Sequence, residues 1–263
     1  MARAIYGGLL DNGFSATNLS VVDPSAAAQD NARRAGIEHI FDSAPGEALL
    51  ADLIVLAIKP QITKAALQPL AGQLGTHSLV LSIVAGINAE SLAALLGLSD
   101  TGHIIRCMPN TPALVGEGMT GLFASREAGS AEGKALAERV MSSVGQCVWV
   151  ENESDLDVVT AISGSGPAYF FLFIESLTDA AIALGMTSES ARKLALQTAL
   201  GASRLASLSS EDAATLRKNV TSPGGTTEQA IQAFEAADIR GIVAQATQAA
   251  ARRSLELSKE FGA

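Results

Sequence analysis

The chain has 263 residues, 48% of them hydrophobic and only 17% charged, with a formal net charge of −9. That composition excludes a disordered chain and supplies one large core or two ordinary ones. The acidic balance excludes general nucleic-acid binding, because the field repels phosphate backbones.

Two cysteines and three scattered histidines, without a CxxC or HExxH pattern, argue against a disulfide framework and against a recognisable metal site. Mean hydropathy is +0.28, yet no uninterrupted apolar run reaches the roughly 18 residues of a membrane span. The richest run, Ala168–Leu184, is interrupted by Glu175, Ser176, Thr178 and Asp179 and reads as a helix buried in protein. The opening residues lack the apolar stretch of a secretory signal. The expectation is a soluble cytoplasmic protein that avoids membranes.

In chain order, Met1–Gly13 has helical spacing at Ile5 and Leu9. Unalternated aliphatic runs then predict strands at Leu19–Val22, Leu53–Ile58, Leu79–Val84, His103–Arg106, Met119–Ala124 and Gln146–Val150. Runs of this kind suit parallel strands covered on both faces. Between them, Ser25–Ala35, Ile62–Leu74 and Ala89–Leu96 have helical period, so the pattern predicts βαβ units and an open α/β sheet. After Glu151 only helices are predicted: Asp155–Gly185 (eased at Gly164–Pro167), Ser188–Leu208, Glu211–Asn219, Thr226–Ala237 and Ile239–Phe261. Start signals are expected at Thr187/Ser188, at Ser209/Ser210, at the Gly-Gly before Thr226 and at Asp238. The domain boundary is expected near residue 150, with an α/β domain over 1–150 and a helical domain over 151–263. Residues 168–184 are apolar around the whole helix, which must therefore be covered on every side. A homodimer through the second domain follows.

Doubly wound dinucleotide domains open with a strand, a G-x-G-x-x-G/A turn and a helix whose amino end holds the pyrophosphate. This chain opens inside what reads as that helix, and Gly7-Gly8 is no substitute for the turn. The first strand and its turn are expected upstream of Met1. Asp23 ends the run LSVVD, where a carboxylate accepts hydrogen bonds from the adenosine ribose and disfavours a 2′-phosphate. The same Asp23-Pro24 pair also suits a simple helix start, and the sequence leaves both readings open.

Several motifs carry chemistry. Ala57-Ile58-Lys59-Pro60 closes the strongest strand, where Lys59 could face a phosphate or ribose, although a lone lysine after a strand is usually just solvated. Ile83 and Ala85 lie in SIVAG, with small residues where a flat ring approaches. Arg106-Cys107-Met108-Pro109-Asn110-Thr111-Pro112 is a rigid turn with fixed polar groups, in which Cys107 reads as a small buried residue. Ser163-Gly164-Ser165-Gly166-Pro167 lacks the Lys-Ser/Thr of a phosphate loop and suits close backbone packing. Ser222-Pro223-Gly224-Gly225-Thr226-Thr227 runs into a helix, where free N–H groups form an anion cradle. Pro223 has no N–H, so Gly224, Gly225, Thr226 and Thr227 are the expected donors. An ordinary helix cap has the same pattern.

Taken together, RCMPNTPALVGEGMTGL (106–122), SGSGPAYFF (163–171) and LRKNVTSPGGTTEQAI (216–231), in this order, resemble the pyrroline-5-carboxylate reductases. The AIKP and SIVAG strand ends and the opening MARAIYGGL fit the same family. Its members begin with a strand and a G-x-G-N-M-A-like turn, of which Met1-Ala2 match the last two positions. The resemblance implies a Rossmann-like open sheet, here without its first strand and glycine turn, followed by an all-α dimerisation domain. It implies reduction of 1-pyrroline-5-carboxylate to L-proline, the last step of proline biosynthesis, with NADPH or with NADH. It also implies a homodimer, and in several members a homodecamer of five dimers.

Carried over by position, Ala57, Ile58, Lys59 and Pro60 line the nucleotide, Ile83 and Ala85 lie near the nicotinamide, and Pro109 and Asn110 lie near its ring. Asn219 touches cofactor and substrate. Glu153, Thr226 and Thr227 surround the bound amino acid, whose carboxylate the Ser222–Thr227 helix start can hold through its N–H groups. Thr227 is the implied hydrogen-bond partner of the ring nitrogen. Two other readings compete. A β-hydroxyacid dehydrogenase needs a lysine early on the long helix, and Gly166–Ser176 has none. A non-catalytic oligomeric protein that binds proline or another carboxylate needs only the helical half.

Overall fold

The computed structural model describes residues 1–125 and 129–261. In chain order its elements are α1 (Ala2–Asp11), β1 (Ser20–Val22), α2 (Ala26–Arg34), β2 (His39–Phe41), β3 (Leu53–Leu56), α3 (Pro60–Leu67) and β4 (Leu79–Ser82). Then come α4 (Ala89–Leu96), β5 (Ile104–Met108), β6 (Gly118–Ala124), α5 (Ala131–Met141) and β7 (Gly145–Trp149). The remainder is helical: α6 (Asp155–Val159), α7 (Gly166–Ala183), α8 (Ser188–Leu208), α9 (Ala213–Asn219), α10 (Thr226–Ala236) and α11 (Ile239–Phe261). The expected long helix over 155–185 is divided by a π-helical turn, Thr160–Gly164, in which the Ser165 N–H reaches back to the Thr160 carbonyl.

Two compact units result, Met1–Ser165 with the chain from Ala250 onward, and Gly166–Ala249. Composition changes near residue 150, but the stretch that follows stays with the first unit because its side chains are tied there. Asn110 donates to the Ser163 carbonyl at 3.0 Å, and Ser254 donates to Asp157 at 2.6 Å. A Cβ on Gly121 would meet the Val159 side chain at 2.6 Å, so β6 and α6 pack backbone to side chain.

In the first unit, β1 and β2 form a parallel pair, and β3-β4-β5-β6-β7 form a second sheet. One pair departs from the parallel strands that the apolar runs suggested: β5 and β6 are antiparallel, with Met108 opposite Gly121. The loop between them is shorter than the dozen or more residues that a parallel crossover requires. The sequence reading also passed over β2 and α5. On β4 every residue is buried. Leu79 and Leu81 face a cluster with Ala4, Ile5 and Leu9 of α1 and Ala137, Val140 and Met141 of α5. Val80 faces Leu67, Leu92, Leu96 and Ile104 on the other side. The uninterrupted apolar run of this strand is thus explained by its two covered faces.

In the second unit α7 packs along α8, and Gly166 is its one residue buried within the chain. Phe170, Phe171 and Leu172 are each more than 60% exposed. The run Asp155–Ala183 meets the length and hydropathy of a membrane span, a point that counting uninterrupted apolar residues had missed. The caps at Thr187 and Asp238 are present. The cap expected at Ser209/Ser210 is instead Asp212, whose side chain accepts the Thr215 N–H.

Candidate active site

The first unit gathers one group of residues at the carboxyl ends of its strands, where ligands bind in open α/β sheets. After β3, Lys59 is the N-cap of α3 and Pro60 opens the helix, where its fixed φ is already helical and its missing N–H costs nothing. The Lys59 carbonyl is held by the buried Thr63 hydroxyl at 3.0 Å, leaving the Lys59 side chain exposed. Ala57, Ile58 and Pro60 are half-buried, and Ile58 leans on the core.

After β4, Ile83 is half-buried and Ala85 exposed. Gly86 follows at φ +75°, and a Cβ there would press on the Leu257 backbone at 3.3 Å. Only glycine adopts that angle at no steric cost. Cys107 donates to the Ser82 carbonyl at 3.4 Å, and burial pushes its thiol far above the usual range. It stays protonated and packs as a small apolar residue, as its pattern suggested.

At the end of β5, Pro109 and Asn110 are buried. Both ends of the Asn110 amide are used: Oδ1 accepts the Met119 N–H at 2.8 Å, and Nδ2 donates to Ser163. Asn110 therefore fixes the β5–β6 turn and the π-helical turn together. Glu153 is also engaged: its Oε1 accepts the Ala89 N–H at 2.7 Å and the Arg106 guanidinium at 2.9 Å. The Arg106 side chain is only 12% exposed and that of Glu153 29%. Sequence reasoning quoted Arg106 within its motif without giving it a role. The available signal was a cation inside the apolar strand HIIRCM, since a buried charge needs a partner.

The second unit gathers Asn219 and Ser222–Thr227. Asn219 ends α9 and donates to Glu211 at 3.0 Å. Gly224 sits at φ +72°, which the turn requires of a glycine, and a Cβ on Gly225 would force the Ser222 hydroxyl to move and crowd its carbonyl. Thr226 and Thr227 open α10 with Gly225 as N-cap. The expected set of four N–H donors is narrowed here. Gly225 N–H is taken by the Ser222 carbonyl at 3.0 Å, and Gly224 N–H by the Glu228 carboxylate at 2.8 Å. Among the described residues none accepts the N–H of Thr226 or Thr227. Those two donors remain at the positive end of a helix of 11 residues. Glu228 had not been singled out, although a glutamate three residues after an N-cap is the signature of a carboxylate that folds back on the turn.

A family model described as pyrroline-5-carboxylate reductase dimerisation matches residues 153–257. The pyrroline-5-carboxylate reductase of Pseudomonas aeruginosa is 44% identical over 265 residues, covering 100% of this chain and 95% of that protein. A solved pyrroline-5-carboxylate reductase from Coxiella burnetii matches with a TM-score of 0.90 at 39% identity, covering 97% of this chain and 94% of that one. A Plasmodium falciparum pyrroline carboxylate reductase solved with NADP bound matches with a TM-score of 0.82 at 31% identity, covering 97% and 93%. With relatives this similar along nearly all of its length, and with a Rossmann-like sheet followed by a helical dimerisation domain, the chain belongs to the pyrroline-5-carboxylate reductase family of NAD(P)H-dependent oxidoreductases.

Proposed function

We propose that this chain reduces 1-pyrroline-5-carboxylate to L-proline, the last step of proline biosynthesis, in the cytoplasm. The observation that carries the reading is the start of α10, with two N–H groups that meet no acceptor among the described residues and a threonine hydroxyl beside them. The substrate is a cyclic imine bearing a carboxylate, and this is the chemistry such a helix start recognises.

The first unit suits a nicotinamide dinucleotide by the chemistry of its strand ends. Lys59 offers a cation to the phosphates, Ala57, Ile58 and Pro60 wall the nucleotide, and Ile83 and Ala85 form an apolar ledge for the nicotinamide. Pro109 and Asn110 complete that ledge as a rigid edge, held by the Asn110 hydrogen bonds. When bound, the dinucleotide, NADPH or NADH, supplies a hydride to the imine carbon.

The chain's own task is positioning and charge control. Thr226 and Thr227 N–H hold the substrate carboxylate, with Ser222, Gly224 and Gly225 shaping the turn around it. The Thr227 hydroxyl donates to the ring nitrogen and draws electron density from the imine carbon. A threonine is too weak an acid to give up its proton outright, so water supplies the proton that the product nitrogen keeps. Asn219, oriented by Glu211, contacts substrate and cofactor. Glu153 borders the bound amino acid while anchoring Arg106 and the start of α4.

The exposed apolar surface of α7 and α8 supports a homodimer through the second unit, and a homodecamer of five dimers is the further assembly proposed. Loss of reduced-nicotinamide absorbance with 1-pyrroline-5-carboxylate tests the reaction directly. Thr227→Ala is expected to lower kcat on the order of 10²-fold while dinucleotide affinity stays unchanged. An unchanged kcat would remove the donor role from Thr227.

A further inference from the structure

We infer that this chain selects NADH over NADPH, and that Asp23, reinforced by Asp42, makes the selection. The inference rests on the dinucleotide reading above and deepens it. β1 and β2 run parallel with Val22 beside Phe41, so the next residues, Asp23 and Asp42, stand side by side at the carboxyl ends of the pair. The Asp23 N–H donates to the Phe41 carbonyl at 3.0 Å, which locks that placement.

The Asp23 carboxylate is held as well. Its Oδ1 accepts the Ser25 N–H at 2.8 Å, and the Asp23 carbonyl accepts the Gln29 side chain at 2.9 Å. Among the described residues no donor meets Oδ2, which is left for a ligand hydroxyl. A ribose 2′-OH is such a donor. A 2′-phosphate is the opposite, an anion placed against two carboxylates.

No cation in the two adjoining stretches relieves that repulsion. From Asp23 to Asp30 the chain reads DPSAAAQD, and from Asp42 to Glu47 it reads DSAPGE, with no lysine or arginine in either stretch. The nearest cation on α2, Arg33, is already paired with Asp30 at 2.7 Å and with Gln29 at 3.0 Å. At the start of α2, Ser25 N–H serves Asp23 and Pro24 has no N–H to give, which leaves the uncharged N–H groups of Ala26, Ala27 and Ala28 to set against two carboxylates. Like-charge contacts of this kind exclude a competitor more than they favour the chosen ligand.

The experiment measures dissociation constants of the full chain for NADH and NADPH by nicotinamide fluorescence, beside kcat/KM with each. The wild-type chain is expected to bind NADH about tenfold or more tightly than NADPH. Asp23→Asn keeps the oxygen that accepts from Ser25 and removes the charge, so its NADPH affinity should rise and the ratio collapse toward one. Asp23→Ser, which removes both oxygens, should show the same change of ratio with weaker NADH binding. Equal or tighter NADPH binding by the wild type would overturn the inference, as would a ratio that Asp23→Asn leaves in place. Binding of neither dinucleotide would overturn the cofactor reading itself, and the inference with it.

Discussion

The two units of this chain treat the same kind of residue in opposite ways. In the first, Leu81, Ile104, Ile105 and Leu122 are wholly buried, sandwiched between helices on both faces of the sheet. In the second, Phe171 is 64% exposed and Leu208 77%. The difference teaches that the first unit satisfies most of its apolar surface by folding, with exceptions such as Leu114 and Val115, whereas the second must satisfy much of its own by association, as the dimerisation match over 153–257 indicates. Single proteins seldom leave a contiguous apolar surface of that kind to water.

The largest effect that probes this contrast is a core truncation. Leu81→Ala deletes a side chain with no exposed surface and should cost about 2–5 kcal/mol, read from denaturant midpoints at fixed protein concentration. Its assembly state should not change. Phe171→Ala should do the reverse. In the separated protomer the ring already meets water, so truncation there has little to lose. In the assembly it removes a large aromatic anchor, worth about 2 kcal/mol or roughly 30-fold in the dissociation constant. Sedimentation equilibrium over a dilution series checks this. If Phe171→Ala lowers stability as Leu81→Ala does while leaving association untouched, the proposed division between the units is wrong.

The same contrast separates what the sequence could disclose from what it could not. The strands LIVL and LVLS were legible because a strand covered on its faces carries almost no polar residue to disguise it. β2, three residues long and starting with His39, carries too little pattern to stand out. The direction of β6 depended on the length of the loop before it, a geometric fact rather than a compositional one. At the site, Asn110 and the SPGGTT turn were legible as motifs, but their partners were not. The Arg106–Glu153 pair joins positions 47 apart, and no local pattern couples them. Nor did the turn reveal that Gly224 and Gly225 spend their N–H groups internally. A glycine-rich helix start reads the same whether its donors are free or taken. The exposed face of α7 was readable only as a helix requiring cover, because what supplies the cover is not on the same chain.

The smallest expected effect lies in the second unit, at the cap of α9, the helix that ends on Asn219. The Asp212 carboxylate accepts the Thr215 N–H at 2.7 Å, and this bond, more than any other influence, holds its carboxyl below the ordinary value. Because the folded pKa is the lower one, protonation is easier in the unfolded helix than in the folded one. The cap's contribution is therefore complete above the unfolded carboxyl range, about pH 4, and is lost as pH falls through the folded value. Amide exchange across 213–219, corrected for its intrinsic pH dependence, should accelerate in that window. Asp212→Asn, which keeps an accepting oxygen but cannot titrate there, should abolish the pH dependence and leave the cap partly in place. Amides of β4 should ignore the same change, since among the described residues no fully buried side chain is a carboxylate. Equal acid sensitivity in both places would mean that the two units open together, and the independence drawn from their burial would fail.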